Sequence, residues 1–261
     1  MKKLFLSLIV YSLSLLVCPQ KGHAQYTVLH TFNDTNGAWP YGSLTLAGNK
    51  LFGMTSNGGA FDPGGTVFSM DTTGNNFKVL KNFNALGPEG DVTLVNNKLY
   101  GMTLFGGTYG RGLIFSIDTN GNNYQVLLNF NDTNGAEPGG SLTLVGSKLY
   151  GMTGHGGTND EGIVFSIDTN GNNEHILLDF NGTNGGGPYG SVIFGNNKLY
   201  GMTVGGGTND SGIIFSIDTN GTGFKDLWNF NGTNGSEPQG NNLTLSGNKL
   251  YGMTTQGGTD Y

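Results

Sequence analysis

Apolar residues in this chain come in short bursts separated by glycine, asparagine and threonine, and the bursts recur at a steady interval. Between Gly190 and Asn231 the first burst is Ser191-Val192-Ile193-Phe194, broken by Gly195-Asn196-Asn197. Lys198 to Thr203 follows at once, so the two runs read as a tight hairpin. A glycine-rich loop from Thr203 to Ser211 leads to a third run, Gly212-Ile213-Ile214-Phe215-Ser216-Ile217. Asp218-Thr219-Asn220-Gly221 then turns the chain, because Asp can cap the backbone and Asn-Gly accepts positive φ. Phe224 to Asn231 is the fourth run, and Gly232 to Pro238 carries the chain to the next unit. Short β-branched and aromatic runs with this punctuation predict four antiparallel strands, and no helix is predicted in the exported part of the chain.

The unit repeats. Leu51-Phe52-Gly53-Met54-Thr55 recurs as Leu-Tyr-Gly-Met-Thr at 99–103, 149–153, 199–203 and 250–254. Repeats of about 50 residues with four strands each predict a β-propeller blade. Ile163-Val164-Phe165 and Ile213-Ile214-Phe215 lack polar alternation, which implies cover on both faces of the sheet, as neighbouring blades would give. The fold class expected is therefore all-β: a β-propeller of about five blades over residues 25–261, with repeats near 43–90, 91–140, 141–190, 191–240 and a partial one at 241–261. A fourth-type strand is expected at Tyr26–Phe32. The absence of a third-type strand after Thr259 leads us to expect a C-terminally truncated chain, with an exposed edge at Leu250–Thr254.

Met1-Lys2-Lys3, an apolar run from Leu4 to Cys18 and Gly22-His23-Ala24 read as a signal peptide over residues 1–24, cut after Ala24. The apolar run is too short to span a membrane, and Val17 before Cys18 argues against lipidation. The expected location is secreted or cell-surface. Cleavage would remove Cys18, the single cysteine, so no disulfide is expected in the mature chain. It would also remove Lys2, Lys3 and Lys21 from the 12 basic residues, leaving nine against 18 acidic ones. That balance excludes nucleic acid and an anionic membrane as partners, and a monomer without cofactor is expected.

Taken in order, Lys-Leu-Tyr-Gly-Met-Thr, Gly-Gly-Thr, Gly-x-Ile-Phe-Ser-Ile-Asp, Leu-x-Asn-Phe-Asn and Pro-x-Gly-Ser-Leu-Thr-Leu resemble the tandem β-strand repeat of secreted bacterial proteins, the GloVer or choice-of-anchor repeat family. The resemblance covers Tyr26 to Tyr261. The layout is also similar to kelch repeats, although the kelch tryptophan is not regular here. The resemblance implies a secreted or surface-displayed protein without established activity, usually with a further sorting segment, and it supplies no functional residues.

Candidate chemistry narrows the choice. Ser-Ile-Asp-Thr-Asn-Gly at 116–121, 166–171 and 216–221 invites a calcium reading, but Gly and Glu do not fall at the EF-hand positions, and a hairpin turn explains it better. One arginine in the whole chain, Arg111, excludes a sialidase mechanism, which needs several. The innermost strands begin with Ser43, Asp91, Ser141, Ser191 and Asn242, so only Asp91 could act as an acid there, and paired-carboxylate hydrolysis needs two. His30, His155 and His175 lie in different repeats, without metal-ligand spacing. Lys50, Lys98, Lys148, Lys198 and Lys249 recur at the first hairpin and are expected to be solvated. Variation concentrates in the loop after the second strand, which should share a face with the connection holding Trp39-Pro40-Tyr41 and Pro188-Tyr189. Trp39, Tyr41, Phe105, Tyr109, His155 and Tyr189 are therefore the candidate ligand-binding residues. The reading is an exported, non-catalytic scaffold that binds glycan or protein. A carbohydrate-active hydrolase or lyase, or a purely structural surface repeat, are the alternatives.

Overall fold

A computed structural model describes residues 26–259 apart from Leu86 and Asn241; the expected signal peptide lies outside the described residues. Blade 1 comprises β1 (Thr45–Ala47), β2 (Lys50–Thr55), β3 (Gly65–Asp71) and β4 (Lys78–Phe83). Blade 2 follows with β5 (Thr93–Val95), β6 (Lys98–Thr103), β7 (Leu113–Asp118) and β8 (Gln125–Asn129). Blade 3 holds β9 (Thr143–Val145), β10 (Lys148–Thr153), β11 (Ile163–Asp168) and β12 (His175–Asp179), and blade 4 holds β13 (Ile193–Gly195), β14 (Lys198–Met202), β15 (Ile213–Asp218) and β16 (Lys225–Asn229). These four blades are antiparallel meanders in chain order; blade 5 shows the hairpin β17 (Thr244–Ser246) and β18 (Lys249–Tyr251) among the described residues.

The turns form where the sequence demands them. Gly121 N–H donates to Asp118 O at 2.8 Å and Asp118 N–H to Asn122 O at 2.9 Å, so the Asp-Thr-Asn-Gly stretch is a hairpin turn. Four of the five recurrent lysines face the Asp of that turn across the second and third strands. Lys50–Asp71, Lys98–Asp118, Lys148–Asp168 and Lys198–Asp218 stand 3.6, 3.3, 2.7 and 2.5 Å apart. The four lysines are thus paired rather than freely solvated, and Lys148 and Lys198 hold the Asp168 and Asp218 carboxyls below their usual range. Pairs this exposed contribute little stability; their effect is on register.

The cores lie between blades rather than within them. Phe52, Met54 and Val67 of blade 1 pack with Leu99, Phe115 and Ile117 of blade 2. Tyr100, Met102 and Ile114 pack with Leu149, Phe165 and Ile167 at the next joint, and Met152 and Val164 pack with Leu199, Phe215 and Ile217 at the one after. Both faces of β7, β11 and β15 are covered, which is why their apolar runs are continuous.

A second tie joins the innermost strands. Asp91 N–H donates to Ser141 Oγ at 2.7 Å, Ser141 N–H to Ser191 Oγ at 2.7 Å, and Ser191 N–H to Asn242 Oδ1 at 2.8 Å. Ser43 N–H donates likewise to Asp91 Oδ1. Two residues further on, Thr45 and Thr93 donate their hydroxyls to Val92 O and Leu142 O at 2.6 and 2.5 Å. The result is a staircase of hydrogen bonds, one step per joint, and Asp91 is one of its treads. Ser141→Ala removes the acceptor of one step, so a loss of about 1 kcal/mol is expected in urea unfolding, with no change in the circular dichroism of the folded protein.

The expected strand at Tyr26–Phe32 forms no ladder with any described residue. It still lies where a fourth strand of a preceding blade would. Gly74 presses on Leu29 as Gly121 presses on Leu80 and Gly171 on Leu127. Phe32 meets Phe68 with centroids 5.2 Å apart, as Phe83 meets Phe115.

Candidate functional site

Both ends of the variable loops are pinned to one face by the same backbone bonds. Ala38 pairs with Asn57, Ala136 with His155, Gly186 with Gly205 and Ser236 with Gln256. Three residues that precede a proline are tied to the residue two before the previous blade's third strand: Glu137 N–H donates to Arg111 O at 3.0 Å, Gly187 N–H to Glu161 O at 2.9 Å and Glu237 N–H to Ser211 O at 3.1 Å. On this frame the side chains change from joint to joint. Trp39, Gly87, Glu137, Gly187 and Glu237 occupy one position; Asn57, Phe105, His155, Gly205 and Gln256 a second.

At four of the five residues in the first position the backbone is left-handed. Trp39, Glu137 and Glu237 have φ of 55°, 56° and 50°, and Gly187 has 63°. A non-glycine residue held there costs about 1–2 kcal/mol.

Between blades 2 and 3 the frame opens into a cleft of about 610 Å³ lined by Arg111, Asp132, Glu137, His155 and Asp160. Arg111 Nε lies 2.8 Å from Asp132 Oδ1 and its Nη1 4.0 Å from Glu137 Oε1. His155 stands between two carboxylates, with Nε2 3.9 Å from Glu137 and Nδ1 3.9 Å from Asp160. Its Nε2 also meets the Tyr189 hydroxyl at 2.7 Å. Tyr189 turns from there into a smaller cavity of about 280 Å³ at the axis, shared with Tyr41, Glu89, Asp91, Ser141 and Ser191. Burial pushes the Tyr189 phenol and the Glu89 carboxyl up, and for Tyr189 the nearby Glu137, Asp160 and Glu89 carboxylates add to the effect. The potential around Tyr189 is therefore negative. Hydroxyls and carboxylates that converge on an open cleft can hold a polar ligand through hydrogen bonds.

Of the six candidate residues, the structure joins His155 to Tyr189 and brings Tyr41 to the same axial cavity. Trp39, 56% exposed, and Tyr109, 60% exposed, stand out separately, and Phe105 takes in blade 2 the place of His155. Arg111, Glu137 and Asp160 were not among the candidates. Their signal was present as departures from the repeat: Arg111 stands where Glu161 and Ser211 stand in later units.

Four-stranded antiparallel blades joined face to face around an axis define a β-propeller built of tandem repeats. The chain belongs to the Gloeobacter/Verrucomicrobia repeat family, whose profile matches residues 86–261. None of the curated proteins matches it. Among solved structures it is similar to a β-propeller in the crystal structure of a nidogen–laminin complex, with a TM-score of 0.57 and 17% identity, over 82% of this chain and 72% of that one. A puromycin-hydrolysing peptidase of Mycobacterium tuberculosis overlaps with a TM-score of 0.48 and 14% identity, over 69% of this chain and 27% of that one. The second likeness is too partial to bear on activity.

Proposed function

We propose that this repeat scaffold is an exported, non-catalytic binding protein whose loop face takes a glycan or protein ligand. The observation that carries the reading is the constant backbone frame with side chains that change at each joint, some of them held in left-handed backbone where glycine would fit more easily. A rigid frame with a varied rim is how loops carry recognition. Trp39, Tyr41 and Tyr109, all more than half exposed, offer large contact area at low entropic cost.

A glycan array and a protein pull-down with the purified protein test this. Saturable binding is expected, weakened at least about tenfold when Trp39, Tyr41 and Phe105 are together changed to alanine, with the melting temperature held within a few degrees. Binding that survives the triple change removes the loop face from the reading. A folded protein that captures no ligand in either screen leaves the repeat as a structural element alone.

A further inference from the structure

We propose that Tyr189 is the stacking platform of a sugar subsite at the axial mouth, one that accepts non-acidic pyranoses and rejects acidic ones. This rests on the binding reading above and names the ligand class for one part of the loop face.

The ring is held from below and at its tip. A Cβ on Gly154 would lie 2.3 Å from Tyr189 Cε1 and 2.7 Å from Cζ, so the ring rests directly on the blade 3 loop. The equivalent positions are Ser56, Leu104, Val204 and Thr255, and Gly154 itself has no left-handed φ. The backbone there therefore does not require glycine; the ring does. At the tip the hydroxyl bonds to His155 Nε2 at 2.7 Å, and the imidazole meets the phenol edge-on, with centroids 5.9 Å apart at 77°. An aromatic side chain immobilised before any ligand arrives spares the ligand that entropic cost.

The surroundings fit a sugar. A pyranose offers an apolar C–H face to an aromatic ring and hydroxyls around its edge. The cavity beside Tyr189 supplies the matching edge groups: Glu89, Asp91, Ser141 and Ser191. The oxygens of Ser141 and Ser191 accept from backbone N–H groups, which leaves their hydroxyl protons to donate. Among the described residues, no basic side chain lines this cavity. Arg111, in the adjoining cleft, is engaged by Asp132 and Glu137. A sugar carboxylate would meet Glu89 and Asp91 without a counter-charge, whereas a hydroxyl or an ammonium would find acceptors.

The test is titration of the intact protein with neutral gluco-, manno- and galacto-oligosaccharides, with a glucosamine oligomer and with a galacturonate oligomer of the same length, at moderate salt. A non-acidic oligomer is expected to bind at least about tenfold more tightly than galacturonate. Tyr189→Ala should cost at least about tenfold, in line with the loss of a stacked ring, and Gly154→Val should cost as much with the phenol still present. Tyr189→Phe should retain most of the affinity. Thermal melts of each variant verify folding; should Gly154→Val fail to fold, Tyr189→Ala, which truncates a partly exposed side chain, decides. Absence of binding by every non-acidic oligomer, binding unmoved by Tyr189→Ala, or equal affinity for galacturonate would overturn the proposal. A ligand lost on changing Trp39 but not Tyr189 would overturn it while sparing the wider binding reading; no ligand in any screen would remove both.

Discussion

Gly151→Val should be among the most damaging single substitutions in this protein, with a loss of about 3 kcal/mol or more from overpacking. Gly151 pairs directly with Phe165 across β10 and β11. A Cβ at Gly151 would fall 2.6 Å from Phe165 Cζ and 2.9 Å from Cε1. Phe165 is fully buried and cannot yield, because Phe130 packs on its other side with centroids 5.4 Å apart. The same lock recurs at Gly53 with Phe68, Gly101 with Phe115 and Gly201 with Phe215. A large ring lying over a bare backbone compensates for what glycine fails to pack in a strand. Phe165→Ala alone should cost about 3–5 kcal/mol. The double variant should cost clearly less than the two added, since the valine then enters the space the ring leaves. Urea unfolding of all four species measures the coupling. Additive losses would mean that ring and glycine do not act as one unit.

Glu174→Phe should act in the opposite direction and stabilise the protein. The position opens the fourth strand of each blade. In three blades its ring packs on the third-strand phenylalanine: Phe77 on Phe68, Tyr124 on Phe115 and Phe224 on Phe215, at 5.5, 5.9 and 6.2 Å. Blade 3 places a carboxyl there instead. Glu174 Oε1 is buried with no hydrogen-bond partner among the described residues, and Oε2 receives only a long bond, 3.5 Å, from Asn134. Burial pushes this carboxyl above its ordinary value of 4.5, against a smaller lowering by Asn134. The folded state thus favours the protonated acid. Its contribution is fully present below the unfolded value and is lost as pH rises through the raised one. The gain from phenylalanine should therefore be smallest near pH 4 and grow toward neutrality, reaching about 1–3 kcal/mol from the apolar area returned to the joint. Thermal unfolding of both proteins at pH 4 and pH 7 measures it. A gain that shrinks as pH rises would contradict a buried carboxyl whose charged form the folded state disfavours.

The fold was readable because a repeated sequence states each element several times. Leu-Tyr-Gly-Met-Thr and Ile-Phe-Ser-Ile-Asp have local meanings, a strand after a tight turn and a strand covered on both sides, and both hold in every complete blade. The site was less readable, for two physical reasons. Tyr189 is held by Gly154 and His155, which lie more than thirty positions earlier in the chain; only the closing of a joint brings them together. The lysines looked free because their partners sit twenty residues on, across a ladder. Ser141 and Ser191 looked like candidate active-site positions emptied of chemistry, whereas their hydroxyls carry the joint itself. The left-handed backbone at Glu137 and Glu237 is invisible in a Glu-Pro dipeptide, since proline restrains its predecessor toward extended conformations instead.

The staircase at the axis has an evolutionary corollary. Each unit brings one acceptor on a side chain and one donor on its backbone, and neither depends on which copy stands next to it. In-frame recombination between two repeats, adding or deleting about fifty residues, would hand every newborn joint a complete pair. Ser, Asp and Asn all serve as the acceptor, so drift at that codon is tolerated as well. A lineage can therefore change how many units it strings together far more easily than it can change the unit, while the rim residues diverge copy by copy.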